Sequence, residues 1–237
     1  MIKTIFFDLD DTLYLFQDSS AKLKAEVETV KRINEKTKEK LHITFNEFIE
    51  SRHEFKEANK NNPDKYNRYL WFDNFLTQKG IKDINFAKDL EVLYWEVLSQ
   101  NMVPYEDLRI VLPELSRKYK LYVLTDGLEY GQIIRMKALK FDKYFDGLLC
   151  SDQHNSLKPD KQVFDYGLKV AGCKPEESIM IGDKPHKDIR GSNNAFITSI
   201  WIQRGKYAGT NPIGKDKAKY TIKNYFRLLD ILEKLDN

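Results

Sequence analysis

The chain has 237 residues, 39 of them basic and 36 acidic, for a formal net charge of +3. With 41% hydrophobic, 32% charged and 13% aromatic residues, its composition excludes a disordered chain, a collagen and a disulfide-stapled miniprotein. Despite a pI near 8.6, the near balance of charge gives no sign of a nucleic-acid partner.

Cys150 and Cys173 are too few for a disulfide framework or a four-ligand zinc site. Both lie in apolar surroundings and read as buried free thiols of a reducing compartment. The apolar start Ile5-Phe6-Phe7 is broken at once by Asp8, Asp10 and Asp11, so no targeting segment is visible. No run approaches the roughly 18 apolar residues of a membrane helix. The expectation is a cytoplasmic protein with no membrane partner.

In chain order, the first element is an apolar run, Thr4-Ile5-Phe6-Phe7, without alternation. Such runs suit strands buried on both faces of a parallel sheet. From Ser19 to Gln100 the periodicity becomes helical. Leu23, Val27, Val30, Thr37 and Leu41 mark one helix, with Ser19 or Ser20 as its N-cap and Glu26, Glu28, Glu35 and Glu39 among its lysines. Phe45, Phe48, Ile49 and Arg52 mark a second, Tyr66, Tyr69, Leu70 and Phe75 a third, and Phe86, Leu90, Leu93, Tyr94 and Val97 a fourth. Polar breaks at His42, Asn61-Asn62-Pro63 and Lys79-Gly80 separate them. The aromatic residues here, Tyr94 and Trp95 included, read as core packing. Further strand-like runs follow at Leu121–Leu124, Gly147–Cys150, Ser178–Ile181 and Ser199–Ile202, with helix-like segments at Tyr130–Leu139 and Gln162–Val170 between them. A closing helix covers Tyr225–Leu232. Strands alternating with helices predict a doubly wound α/β fold. The expected organisation is an α/β core over 1–14 and 101–237, interrupted by a helical insert over 15–100.

In an open parallel sheet, ligands bind beyond the carboxyl ends of the strands. Asp8-Leu9-Asp10-Asp11-Thr12 follows the first strand, Thr125-Asp126-Gly127 the second, and Gly182-Asp183 with Asp188 the fourth, while Lys158 lies soon after the third. Each motif alone is an ordinary turn or cap signal. Together, in this order, they converge on one sheet edge. Carboxylates gathered in one place repel each other, and a hard divalent cation with oxygen ligands, Mg²⁺, resolves that. The lysine supplies a point charge for an anion.

This constellation resembles the haloacid dehalogenase-like (HAD) superfamily of hydrolases. Asp8-Leu9-Asp10-Asp11-Thr12-Leu13, Thr125, Lys158 within Ser156-Leu157-Lys158-Pro159-Asp160, and Gly182-Asp183 with Asp188 are similar to its four motifs, and the resemblance spans about Met1 to Leu229. It implies a Rossmann-like core with an inserted helical cap of the C1 type over 15–100, and Mg²⁺-dependent hydrolysis of a small phosphorylated metabolite. On this resemblance Asp8 is the nucleophile that becomes an aspartyl-phosphate, and Asp10 the general acid and base. Thr125 and Lys158 bind the phosphoryl group, with backbone amides beside Leu9 and Asp126. Mg²⁺ is held by the Asp8 side chain, the Asp10 carbonyl and Asp183, with Asp188 as ligand or support. Two positions depart from the family pattern: Asp126 stands where Asn is common, and Phe196 where Gly is common.

A phosphomutase or a haloacid dehalogenase uses the same scaffold. The dehalogenases of the family lack an acid at the position of Asp10 and need no Mg²⁺. That acid, two residues beyond the nucleophile on an extended strand, points to the same side as Asp8. Of different classes, a phospho-receiver has roughly half this length and no cap. A catalytically silent binding protein is expected to lose one of Asp8, Asp10, Lys158 or Asp183, and all four are present.

Overall fold

The computed structural model describes residues 1–16, 19–38 and 40–236. In chain order it forms β1 (Thr4–Phe7), α1 (Ser20–Lys36), α2 (Phe45–Ala58), α3 (Arg68–Gln78), α4 (Ile84–Gln100) and α5 (Glu106–Lys118). Then come β2 (Lys120–Thr125), α6 (Glu129–Leu139), β3 (Gly147–Cys150), α7 (Lys161–Ala171) and β4 (Ser178–Gly182). The chain ends with α8 (Arg190–Asn194), β5 (Thr198–Ile202), β6 (Tyr220–Ile222) and α9 (Phe226–Asp236). Two compact units result: Met1–Gln17 with Val103–Asn237, and Asp18–Met102.

The first unit is a doubly wound α/β core. Its six strands lie in the order β3-β2-β1-β4-β5-β6, and every pair is parallel. The five apolar runs read from sequence are strands; four are buried along nearly all their length, and the edge strand β3 is buried only at Leu149 and Cys150. On one face Phe6, Leu124 and Met180 pack with Val163 and Phe164 of α7. On the other, Phe7 meets the rings of Phe145 and Tyr225 at centroid distances of 5.7 and 6.2 Å. Alternate side chains of β1 are thus buried on opposite sides, which is why its sequence shows no polar alternation.

Two core elements differ from the periodicity reading. Helix α5 is absent from that reading because Pro113 interrupts its pattern, yet Leu108, Val111, Leu112 and Leu115 bury one face across the proline. Strand β6 has only three residues beside β5, too short a run to register. Both cysteines are free, and Cys150 is buried as expected while Cys173 is half-buried.

The second unit contains the four helices read from sequence, except that Tyr66 lies in a short 3₁₀ turn over Pro63–Tyr66 and the third helix starts only at Arg68. Ser19 caps α1 by accepting from the Lys22 amide at 3.2 Å, and Thr44 and Glu47 form a reciprocal capping box on α2. Phe48, Trp71, Phe72, Phe75, Tyr94 and Trp95 are buried together, with the Phe48 and Trp71 rings 4.6 Å apart. The register of α1 needs correction. It ends at Lys36, so Thr37 and Leu41 lie beyond it, and Glu39 falls outside the described residues. Leu23 and Val27 are 52% and 45% exposed. The buried face is Ala21, Ala25, Glu26, Thr29, Val30 and Ile33. Small residues let α1 pack closely on α4, its main neighbour, and Glu26 is buried because it pairs with Arg52 of α2. No helix among the described residues is long and apolar enough to cross a membrane.

Candidate active site

The strand order reverses direction between β1 and β4, and a crevice at such a switch point is where ligands bind in open α/β sheets. The two strands run in register, Phe7 opposite Ile181, and the Asp8 amide continues the ladder with a 2.9 Å bond to the Ile181 carbonyl. Asp8 and Asp183 therefore emerge side by side. Gly182 is required between them and Asp188: a Cβ there would lie 2.4 Å from the Asp188 carboxylate. After Asp183 the chain makes a wide π-type turn over Pro185–Ile189 and enters α8, which returns Asp188 to the strand end. Carboxylate oxygens of Asp8, Asp183 and Asp188 lie within 4.8 Å of one another, and all three residues are buried. A donor set made only of oxygens suits a hard cation such as Mg²⁺ better than a thiophilic one.

Lys158 reaches into this cluster from the loop after β3. Its ammonium donates to Asp8 Oδ1 at 2.6 Å, Asp188 Oδ1 at 2.7 Å and the Leu124 carbonyl at 3.0 Å, which uses all three of its protons. Burial alone would push the Asp8 carboxyl up, but Lys158 and Lys184 outweigh it and hold the group well below the usual carboxylate range. Burial would likewise lower the Lys158 ammonium, and Asp188, Asp8 and Asp126 reverse that and raise it. Asp8 is thus a buried carboxylate kept ionised by its neighbours.

Thr125 ends β2 and is buried. Its hydroxyl accepts from Gln132 Nε2 at 2.8 Å, leaving its own proton available to donate. That arrangement needs Gly127, where a Cβ would fall 1.8 Å from Gln132 Nε2. Leu9 is fully buried in the loop after β1, where the Thr12 and Leu13 amides donate to its carbonyl. Asp126 is not a loose extra charge. Its Oδ1 accepts from the Lys158 amide at 2.8 Å and its Oδ2 from Lys187 Nζ at 2.6 Å, so it fixes the backbone of the lysine loop.

Asp10 departs from the strand-alternation reading. β1 ends at Phe7, and Asp10 sits in the following turn, with its carboxylate outside the three-carboxylate cluster. Arg135 Nη1 at 2.5 Å and the Tyr14 hydroxyl at 2.7 Å both donate to Asp10 Oδ1. The Asp10 carbonyl, by contrast, turns toward the cluster and accepts from Lys184 Nζ at 3.3 Å. Lys184, Lys187, Gln132, Arg135 and Tyr14 are site residues that the motif reading left without a role. The two lysines were visible as cations inside the fourth motif. Arg135 carries no signal of its own, because only the fold brings α6 to the first loop.

Residues 5–202 match the family of haloacid dehalogenase-like hydrolases, and the chain belongs to that family. It is similar over nearly its whole length to named phosphatases, and it is a hydrolase of the phosphatase kind. Glyceraldehyde 3-phosphate phosphatase of Pyrococcus furiosus is 30% identical, across 98% of this chain and 94% of its own. N-acylneuraminate-9-phosphatase of Homo sapiens is 25% identical, across 99% and 95%. A 2-haloacid dehalogenase from Pseudomonas syringae pv. Tomato DC3000 shares the fold, with a TM-score of 0.78 and 24% identity over 99% of both chains.

Proposed function

We propose that the protein is a Mg²⁺-dependent phosphatase that hydrolyses a small phosphorylated metabolite through an aspartyl-phosphate on Asp8. The observation that carries this reading is the buried Asp8 carboxylate held 2.6 Å from Lys158 beside Asp183 and Asp188. In the first half-reaction an Asp8 oxygen bonds to phosphorus, the ester P–O bond breaks, and the leaving oxygen takes the Asp10 proton. In the second, water attacks phosphorus and returns a proton to Asp10, and the Asp8–phosphorus bond breaks to release phosphate. Lys158, the Thr125 hydroxyl and backbone amides beside Leu9 and Asp126 bind the phosphoryl oxygens. Asp8, the Asp10 carbonyl and Asp183 would hold Mg²⁺, with Asp188 supporting them through Lys158 and the Lys184 amide. When bound, the ion supplies electrostatic stabilisation of the transferring group. We assign the helical unit the selection of substrate, the role a C1 cap has in the family.

The named relatives act on glyceraldehyde 3-phosphate and an N-acylneuraminate 9-phosphate, which supports a phosphorylated sugar or sugar acid as the substrate class. The test is a screen of purified protein against phosphorylated metabolites, with and without Mg²⁺. Turnover should require the ion and vanish in Asp8→Asn protein of unchanged circular dichroism. Mg²⁺-independent halide release from 2-chloropropionate would replace this reading with a dehalogenase.

A further inference from the structure

Among the described residues, Asp10 is gripped through one oxygen only. Arg135 Nη1 donates to Oδ1 at 2.5 Å, the Tyr14 hydroxyl donates to the same oxygen at 2.7 Å, and Nη1 also reaches the Tyr14 oxygen at 3.1 Å. These three contacts close a triangle of short hydrogen bonds. Among the described residues, no donor contacts Oδ2. The triangle is rigidly mounted. Arg135 is 4% exposed, its Nε donates to the Gly131 carbonyl of its own helix at 3.2 Å, and the Phe16 ring lies 5.5 Å from its guanidinium. Tyr14 is fully buried, and its main chain bridges both Asp10 and Pro104. Burial pushes its phenol well above the ordinary value, so it remains an O–H donor.

We propose that Arg135 and Tyr14 are positioning residues that fix which oxygen of Asp10 handles the proton in phosphate-ester cleavage. An oxygen that accepts two donors has no place for a proton of its own. When Asp10 is the acid, its proton therefore sits on Oδ2 and passes from there to the leaving oxygen. When Asp10 is the base, Oδ2 takes the proton of the attacking water. The grip also prevents the carboxyl from rotating, which would present the wrong oxygen. A charged, bidentate-capable guanidinium paired with a phenol suits this better than a lysine, whose point charge fixes no orientation. Neither residue contacts the reacting atoms: both act through Asp10. This inference rests on the role given to Asp10 in the preceding section.

The test compares leaving groups. An alkoxide needs protonation to depart, whereas p-nitrophenolate needs little. Tyr14→Phe keeps the buried ring and removes one arm of the triangle, so it is the variant best placed to fold. Arg135→Met removes the other arm, and Arg135→Lys restores charge without the planar fork. Kinetics are measured with an alkyl phosphate from the substrate screen and with p-nitrophenyl phosphate. We expect Tyr14→Phe and Arg135→Met to lower kcat for the alkyl ester at least about tenfold more than for the aryl ester, with KM little changed. Arg135→Lys should recover part of that loss. In an Asp10→Asn background, Tyr14→Phe and Arg135→Met should cost nothing further, since the group they position no longer carries a proton. Equal losses on both esters would overturn the positioning role, as would a full additional loss in the Asp10→Asn background. If the wild-type protein cleaves neither ester, the phosphatase reading falls as well. If it cleaves both and the variants do not discriminate, the positioning role alone falls.

Discussion

The Lys184 ammonium lies 2.9 Å from Asp183 Oδ1, and the same nitrogen is 3.0 Å from Asp8 Oδ2 and 3.3 Å from the Asp10 carbonyl. Those three oxygens are the ones assigned to Mg²⁺ in the proposed mechanism. Two cations cannot share them, because like charges a few ångströms apart repel strongly in a buried setting. On that assignment Lys184 is a built-in counter-charge that competes with the metal. Lys184→Met should therefore bind Mg²⁺ more tightly in calorimetric titration, by about tenfold, which corresponds to ~1.4 kcal/mol of relieved competition. The same variant should melt lower without metal, since three buried carboxylates lose a partner. Unchanged Mg²⁺ affinity would refute the competition.

Phe196 offers a stability prediction at a position the sequence had marked as unusual. It follows α8 with φ +60° and is 81% exposed. Its amide bonds the Asn193 carbonyl at 3.2 Å, and the Ile197 amide bonds the Ser192 carbonyl at 2.9 Å, the pairing that closes a helix through one left-handed residue. A side chain there costs roughly 1 kcal/mol, and an exposed phenyl ring returns little of it. Phe196→Gly should stabilise the protein by about 0.5–1 kcal/mol and raise Tm by about 1–4 °C. A lower Tm would show that the ring contributes more than the backbone costs.

The capping box on α2 makes a pH prediction. Glu47 accepts from the Thr44 amide at 2.9 Å, from Lys79 Nζ at 2.9 Å and from the Thr44 hydroxyl at 2.8 Å. These bonds, led by the backbone one, lower its carboxyl from 4.5 to about 2. A depressed folded-state value means the stabilisation is complete above 4.5 and fades as pH falls from there toward 2. The side chain is 44% exposed, so salt should weaken the Lys79 share. An NMR titration of Glu47 checks this, and a midpoint near 4.5 would refute it.

The strands around the site were legible because burial on both faces leaves continuous apolar runs, and the motifs because Asp8, Thr125, Lys158 and Asp183 each stand at or beyond a strand end. What escaped was set by contacts distant in sequence. The α1 face is chosen by the close approach of α4 to Ala21 and Ala25, a preference that hydrophobicity alone ranks below Leu23 and Val27. Asp10 lies beyond the end of β1, in a turn where Arg135, 125 positions away, donates to its carboxylate, a contact that no local periodicity announces. Pro113 conceals α5 because its cost is local, while the burial that offsets it is tertiary.

Asp126 explains its own departure from the family pattern through Lys187. Where Asn is common, this chain has a carboxylate whose Oδ1 accepts from the Lys158 amide and whose Oδ2 accepts from Lys187 Nζ. An asparagine could keep the first bond, but it would turn an amide N–H₂ toward the ammonium, donor against donor. The two side chains are only 19% and 10% exposed, so the pair is partly shielded from water and salt. Asp126→Asn alone should therefore destabilise the protein by about 1–2 kcal/mol, and adding Lys187→Met should recover a large part of that loss. Asp126→Ala should cost more, about 1–3 kcal/mol from the unmet Lys158 amide in addition to the lost ion pair, and Lys187→Met should not rescue it. Because that amide belongs to the residue that holds Asp8, the Ala variant should also lower kcat for phosphate esters, whereas the Asn–Met double variant should keep most of it. Urea melts and steady-state kinetics on these four variants, the Lys187→Met single variant and the parent protein decide the matter. Additive losses in the Asn–Met pair would show that Lys187 and Asp126 are neighbours without being partners.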